Sequence, residues 1–266
     1  MNDKHMKTDS PHRITAETYE STVYNLTPEI VLMHRNQKFT KDQVQIDAYG
    51  DMWMLAFADL KPNQLFVRNR NELTPIVGPW GIWVGNFSMV EWRANSGEIN
   101  WQGITSFKVD PPEQLRGKVI IFPWNQEAPK DTEAVFRLIL DSDRKIEVES
   151  QRVPSAIALK TKRYIEKSFS EVVLIQTVAE KLNLSWAVMT REFKKSYGIS
   201  PVEYRHKLRV FMAVKSLSTG FDVTSAMAES GFTSASQFFA QFKKHVGTQP
   251  NSYHYNERAI ALAPSL

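Results

Sequence analysis

The sequence predicts an α+β chain of two domains. The N-terminal half is all-β, a barrel or sandwich, and the C-terminal part is all-α, with two helix-turn-helix units joined by a linker helix. Three observations carry that prediction. Six of the seven tryptophans, and the short apolar runs bounded by turn residues, fall in residues 1–150, the texture of many short strands. The last third repeats itself at an offset of 49 residues, which marks one supersecondary unit built twice. Basic residues gather with the repeat: 15 Lys/Arg stand against 8 Asp/Glu from Ser155 onward, whereas 18 stand against 21 before it. A length of 266 residues, 42% hydrophobic and 23% charged, supports two globular domains, 1–150 and 155–260.

In the N-terminal half, apolar or alternating runs predict strands over Thr22–Leu26, Ile30–His34, Val44–Tyr49, Met52–Ala58 and Leu65–Val67. Further runs cover Ile82–Trp92, Ile104–Val109 and Val119–Phe122. Turn residues break them at Tyr49-Gly50-Asp51, Lys61-Pro62-Asn63, Val77-Gly78-Pro79, Asn95-Ser96-Gly97 and Asp110-Pro111-Pro112. A helix is predicted over Thr132–Leu140. The stretch Asp141–Pro154 reads as a polar linker, with a strand over Lys145–Val148.

The helical part opens with Ser155–Phe169, whose Ile157, Tyr164, Ile165 and Phe169 share an apolar side. The first unit spans 172–197. There Val178, Leu182, Val188, Met189 and Phe193 keep helical spacing, interrupted at Asn183-Leu184, so two helices meet at a tight turn. Ser185 is the N-cap of the second helix and Gly198 its left-handed C-cap. Ser200 and Pro201 open the linker helix, Pro201–Leu217, about 25 Å long at about 1.5 Å per residue. The second unit, 222–246, runs from the N-cap Asp222 to Glu229, turns at Ser230-Gly231-Phe232, restarts at Ser234 and stops at Gly247. Nine identities tie the copies, among them Phe193-Lys194-Lys195 with Phe242-Lys243-Lys244. A last helix is predicted from Pro250 to Arg258.

Several functions are excluded by composition. Without cysteine there is no disulfide, cysteine–zinc site or thiol nucleophile. No phosphate loop or dinucleotide fingerprint occurs. No apolar run approaches the roughly 20 residues of a membrane helix, and Met1–Pro11 lacks the apolar core of a signal peptide, so a cytoplasmic location is expected. His5, His12 and His34 are the only histidines of the first half and do not cluster, so neither a metal nor a cofactor is expected. His206, His245 and His254 read as surface or capping residues. No catalytic constellation is present. Trp80, Trp83 and Trp92 are the candidates to line a small-molecule pocket, the alternative being core packing.

The basic excess over a duplicated helix-turn-helix is the electrostatic footprint of a phosphate-binding face. The linker helix is long enough to hold two recognition helices about one duplex turn, roughly 34 Å, apart. At these residues the chain resembles the AraC/XylS family of bacterial transcription regulators. The second unit carries most of the signature, in Ala228-Glu229-Ser230-Gly231-Phe232, Ser236, Phe238, Phe242-Lys243-Lys244, Gly247, Pro250 and Tyr253. The first matches at Ala179, Leu184-Ser185, Phe193-Lys194, Gly198, Pro201, Tyr204, Leu208-Arg209 and Ala213.

The resemblance implies sequence-specific binding of double-stranded DNA, a homodimer, RNA polymerase as a partner, and a cupin-like barrel that binds a small-molecule effector, dimerises, or does both. It maps base contacts onto Ala187, Thr190 and Arg191. Arg191 is the sharpest, because a guanidinium can bond guanine O6 and N7 together. In the second unit the corresponding outer face is Ala235, Ser236, Phe239 and Ala240, with alanine where family members frequently carry an arginine. Weaker base selectivity is expected there. Phosphate contacts are assigned to Ser185, Trp186, Lys194, Lys195, Ser234, Lys243 and Lys244. Lys207 lies on the polar side of the linker helix, and Arg209 fits a family position that is usually structural. The missing cysteine excludes the relatives that join this domain to an acceptor-cysteine methyltransferase. The rival reading is a barrel-domain enzyme or effector sensor merely tethered to nucleic acid by the helical domain.

Overall fold

The computed structural model describes residues 11–253 apart from 26, 28, 107, 125–128, 130, 150–152 and 173. Ten antiparallel strands build the N-terminal half: β1 (His12–Thr15), β2 (Tyr19–Asn25), β3 (Val31–Phe39), β4 (Gln43–Ala48) and β5 (Trp53–Asn69) come first. They are followed by β6 (Glu72–Val84), β7 (Met89–Ala94), β8 (Gly97–Ser106), β9 (Val119–Pro123) and β10 (Ile146–Glu147). One helix, α1 (Thr132–Asp141), lies between β9 and β10, with Asp131 accepting a capping bond from Ala134 N. The sheet order is β1-β2-β3-β8-β5-β6-β9-β10, with β7 joining β4 to β5.

The long strand β5 curls the sheet. Its first half pairs with β8 and its second with β7, while β6 follows both. The register slips between Leu60 and Leu65, where Asn63 has φ 66°. The sequence breaks expected at Lys61-Pro62-Asn63 and Val77-Gly78-Pro79 are therefore not strand ends. Pro62 falls in the bulge, where no ladder donor is needed, and Val77 faces it. Conversely, the run Ile82–Trp92 is two strands, β6 and β7, parted by a turn in which Phe87 has φ 56°. Strand β1 and the first half of β8 were not expected as strands.

Period-two alternation sends the strands' apolar side chains to two cores. Trp53, Leu55, Phe57, Trp83, Ile104, Ile120 and Phe122 pack with Val135 and Ile139 of α1. Leu60, Ile82, Val84, Ile99, Val119 and Ile121 fill the inner face.

The helical part comprises α2 (Ala156–Ser168), α3 (Gln176–Lys181), α4 (Trp186–Tyr197), α5 (Pro201–Ser218), α6 (Val223–Glu229) and α7 (Ala235–Val246). A short 3-10 turn, Pro250–Ser252, follows. The remainder of the helix expected to Arg258, with His254, lies outside the described residues. Both ends of α4 and α7 match at the 49-residue offset. The helices before them do not match at the start. Asp222 accepts from Thr224 N and Ser225 N at 2.8 and 3.0 Å and starts α6 two residues ahead of its counterpart, whereas Ile175 precedes α3 and offers no side-chain cap. Arg209 is structural: its guanidinium donates to Phe169 O at 2.6 Å and Glu171 O at 2.9 Å, the carbonyls beyond the end of α2.

The linker helix α5 also leans on the sheet. Tyr49 and Phe211 rings lie 5.2 Å apart, and Lys215 pairs with Asp51 at 3.5 Å. Among the described residues, no helix is long and apolar enough to cross a membrane.

Candidate nucleic-acid interface

Each recognition helix is set by caps that its sequence supplies. Ser185 Oγ accepts from Val188 N at 3.3 Å, and Gly198, at φ 77°, donates to Lys194 O. Ser234 and Gly247 (φ 81°) do the same for α7. Met189 and Phe193 on α4, and Phe238 and Phe242 on α7, are fully buried, which fixes the opposite face outward.

On α4, Ala187, Arg191, Lys194 and Lys195 are exposed, while Trp186 is half-buried. Arg191, itself highly exposed, meets the half-buried Glu192 at 3.5 Å, a contact too weak to keep it from another partner. Thr190 is half-buried, and its shielded hydroxyl has no hydrogen-bond partner among the described residues. On α7, Ala235, Ser236, Ala240, Lys243 and Lys244 are exposed. Phe239 is half-buried, its ring edge-on to Phe238 at 5.5 Å. Lys244 reaches back to Glu203 of α5 at 3.7 Å. The first helix thus presents a guanidinium outward where the second presents methyl groups and one hydroxyl.

A cavity of ≈ 580 Å³ lies between the inner face of the sheet and the α5–α7 side of the helical part. Of the tryptophans singled out by sequence, Trp92 lines it, together with Trp101. Trp83 is fully buried elsewhere, stacked on Trp53 at 5.3 Å and bonded to Leu115 O. Trp80 donates to Val77 O and is outside the lining. Trp101 could have been found by sequence, since it alternates in step with Ile99.

The linker helix adds an unexpected group. Lys207 is 9% exposed, turned into the cavity wall and not toward solvent. Burial lowers its pKa, and the nearby Asp47 carboxylate opposes that shift. Asp47 in turn is pushed up by burial, with Gln45 Nε2 donating to it.

His206 and His245 are half-buried, contrary to the surface role expected of them. Burial, then Arg205, Arg209 and Lys244, holds His206 down to about 4 against the pull of Glu203. Burial, then Lys207, Lys244 and His206, holds His245 down to about 3. Both are therefore neutral in the folded chain at neutral pH. Because the unfolded chain binds these protons at about 6.5, stability present above that pH is lost as pH falls toward 4 and 3. The urea midpoint is expected to drop between pH 7 and about 4.5, and His245→Gln should flatten part of that drop. Parallel pH profiles for the two proteins would remove His245 from the account.

Comparison with known proteins bears on the helical part. A family model described as a helix-turn-helix domain matches residues 178–255. The bifunctional transcriptional activator/DNA repair enzyme AdaA of Bacillus subtilis is 30% identical over 135 residues, half of this chain and 60% of its own length. The transcriptional activator RhaS of Salmonella schwarzengrund is 28% identical over 98 residues, 36% of this chain and 35% of its own. The chain therefore spans between about a third and three fifths of these relatives. The crystal structure of unsaturated fatty acid bound ToxT from Vibrio cholerae covers 85% of this chain and 95% of ToxT. Its TM-score is 0.51 at 12% identity, a likeness of fold alone.

Proposed function

We propose that this chain, which carries a helix-turn-helix domain of the AraC/XylS type at its C-terminal end, is a sequence-specific transcription regulator that binds double-stranded DNA. Each monomer inserts α4 and α7 into successive major grooves. The observation that carries this reading is the pair of identically bounded recognition helices, both with buried phenylalanines inside and lysines outside. Arg191, with Ala187 and Thr190 beside it, reads bases from the first helix. Ala235, Ser236, Phe239 and Ala240 make the poorer contacts of the second. Ser185, Trp186, Lys194, Lys195, Ser234, Lys243 and Lys244 meet phosphates. No group of three or more His, Asp or Glu residues poised for a metal occurs among the described residues, and no residue is assigned a catalytic role.

The test is binding of the full chain to a labelled duplex across a salt series. Neutralising four to six phosphates gives a slope of log K against log salt of about −4 to −5. A flat profile, or no binding, overturns the reading.

The cavity is the effector site of this proposal. Its walls are largely apolar, from Met33 and Leu60 to Trp92 and Trp101, and its helical-domain end carries the buried Lys207. That chemistry suits an amphipathic anion, and the fold-related ToxT crystal holds an unsaturated fatty acid. A medium-chain carboxylate should raise the melting temperature of the wild type and leave Lys207→Met unmoved. An equal rise in both would exclude Lys207 as the anion's partner. A homodimer belongs to the same reading, and sedimentation would test it. Contact with RNA polymerase belongs to the same reading, and polymerase recruitment to a bound promoter is its check.

A further inference from the structure

Both recognition helices end in a left-handed glycine, and both glycines lie against the sheet. A Cβ at Gly198 would stand 2.5 Å from Ile46 Cδ1 of β4. A Cβ at Gly247, the equivalent position 49 residues on, would stand 3.5 Å from Tyr19 Cε1 of β2. Contact at two repeat-related sites from one sheet is not required by the helical domain's own packing.

Each contact belongs to a larger seam. At the first unit, Ala48 and Ile46 join the apolar cluster of Phe193 and Tyr204. Nearby, Lys162 Nζ of α2 donates to Phe87 O at 2.8 Å. At the second unit, Ile14 and Tyr19 pack with Phe238 and Phe242. Tyr19 OH donates to Val246 O at 2.7 Å, taking one of the carbonyls that a helix C-terminus leaves unpaired. Arg35, over the Tyr19 ring at 3.9 Å, reaches Tyr253 OH at 3.2 Å.

A duplex fixes what such a pair must match. One inserted base pair moves the second half-site by about 3.4 Å and turns it by roughly 35° around the axis. Two helices joined through a linker helix can follow part of that change by bending or rolling at its ends. Two helices also held at their C-termini by one sheet cannot.

We propose that the sheet sets the spacing and phase of the two recognition helices, with Ile46 at Gly198 and Tyr19 at Gly247 as the positioning residues. The half-site distance that this chain accepts is then a property of the sheet as well as of the linker helix. The proposal rests on the DNA-binding reading above. The cavity lies beside the Tyr19–Gly247 contact, so an occupant there would act on the same brace.

The experiment uses the full chain. Duplexes retained from a randomised DNA library define the two half-sites, and binding is then measured with one or two base pairs inserted or removed between them. Wild type is expected to lose about tenfold or more in affinity for each base pair of change. Ile46→Val removes the touching Cδ1 and Tyr19→Phe removes the hydroxyl, both with little change in volume. The double variant should stay within about threefold of its best affinity one base pair either side, while binding a duplex with one half-site as wild type does. The single Tyr19→Phe should fall between the two, which keeps the test valid should the double variant fold poorly. Spacing profiles that superpose on wild type overturn the brace and leave DNA binding intact. Failure of wild type to retain any duplex overturns the DNA-binding reading itself.

Discussion

A Gly231→Ala protein is expected to lose much of the stability of its helical domain. Gly231 has φ 78°, and a Cβ there would stand 2.2 Å from Ser170 O and 2.6 Å from Ser170 C. Those are backbone atoms at the end of α2, so no side-chain rotation relieves the clash. The left-handed conformation costs an alanine roughly 1–2 kcal/mol, and forcing packed backbone apart adds about 1–3 kcal/mol. The turn is also locked from within: Gly231 N donates to Ala228 O, Phe232 N to Met227 O, and buried Ser230 Oγ to Ala226 O. Phe232 lies under Arg209 at 5.6 Å, the same guanidinium that holds the carbonyls after α2. Gly220→Ala is the control. Its φ is 95°, but nothing lies within 4 Å of the added carbon, so only the conformational cost applies. Urea denaturation should rank Gly231→Ala well below Gly220→Ala, and equal midpoints would refute the steric argument.

Arg191→Ala is expected to relax sequence preference sharply, while Ala240→Ser barely changes it. A bidentate arginine–guanine contact discriminates by about 1–3 kcal/mol, whereas a methyl or a single hydroxyl offers little against the wrong base. The two sites differ in that way on the molecule: Arg191 is exposed on α4, and Ala240 is exposed on α7 with half-buried Phe239 before it. Lys194→Ala should instead weaken binding to all sequences alike, because a phosphate contact carries no base information. Selection from a random library with each variant would show it. Equal loss of preference from Arg191→Ala and Ala240→Ser would end the unequal-halves account.

Much of the helical domain was legible because its signals are local. Ser185, Ser234, Gly198 and Gly247 bound their helices as their side chains, or the lack of one, dictate. The sheet was legible only as a texture. Pro62 and Gly78 look like strand ends in sequence, yet a bulge carries β5 and β6 past them. A bulge is paid for by partners on other strands, and those are invisible to a local pattern. Histidines 206 and 245 show the same limit: each follows a basic residue in sequence, yet both are half-buried in the fold.

By itself the sequence determined the duplicated unit, its caps, its buried phenylalanines and its outward lysines, since helix periodicity and capping act within a few residues. It also set the difference between Arg191 and Ala240, which is a matter of side-chain identity. Only the tertiary structure decided that Lys207 turns into a cavity, that Trp101 lines it with Trp92, and that Ile46 and Tyr19 meet the glycines ending the two recognition helices. The two glycine contacts join residues 152 and 228 positions apart in the chain. Burial and charge at such a seam depend on which surfaces meet, and no periodicity within either domain encodes that meeting.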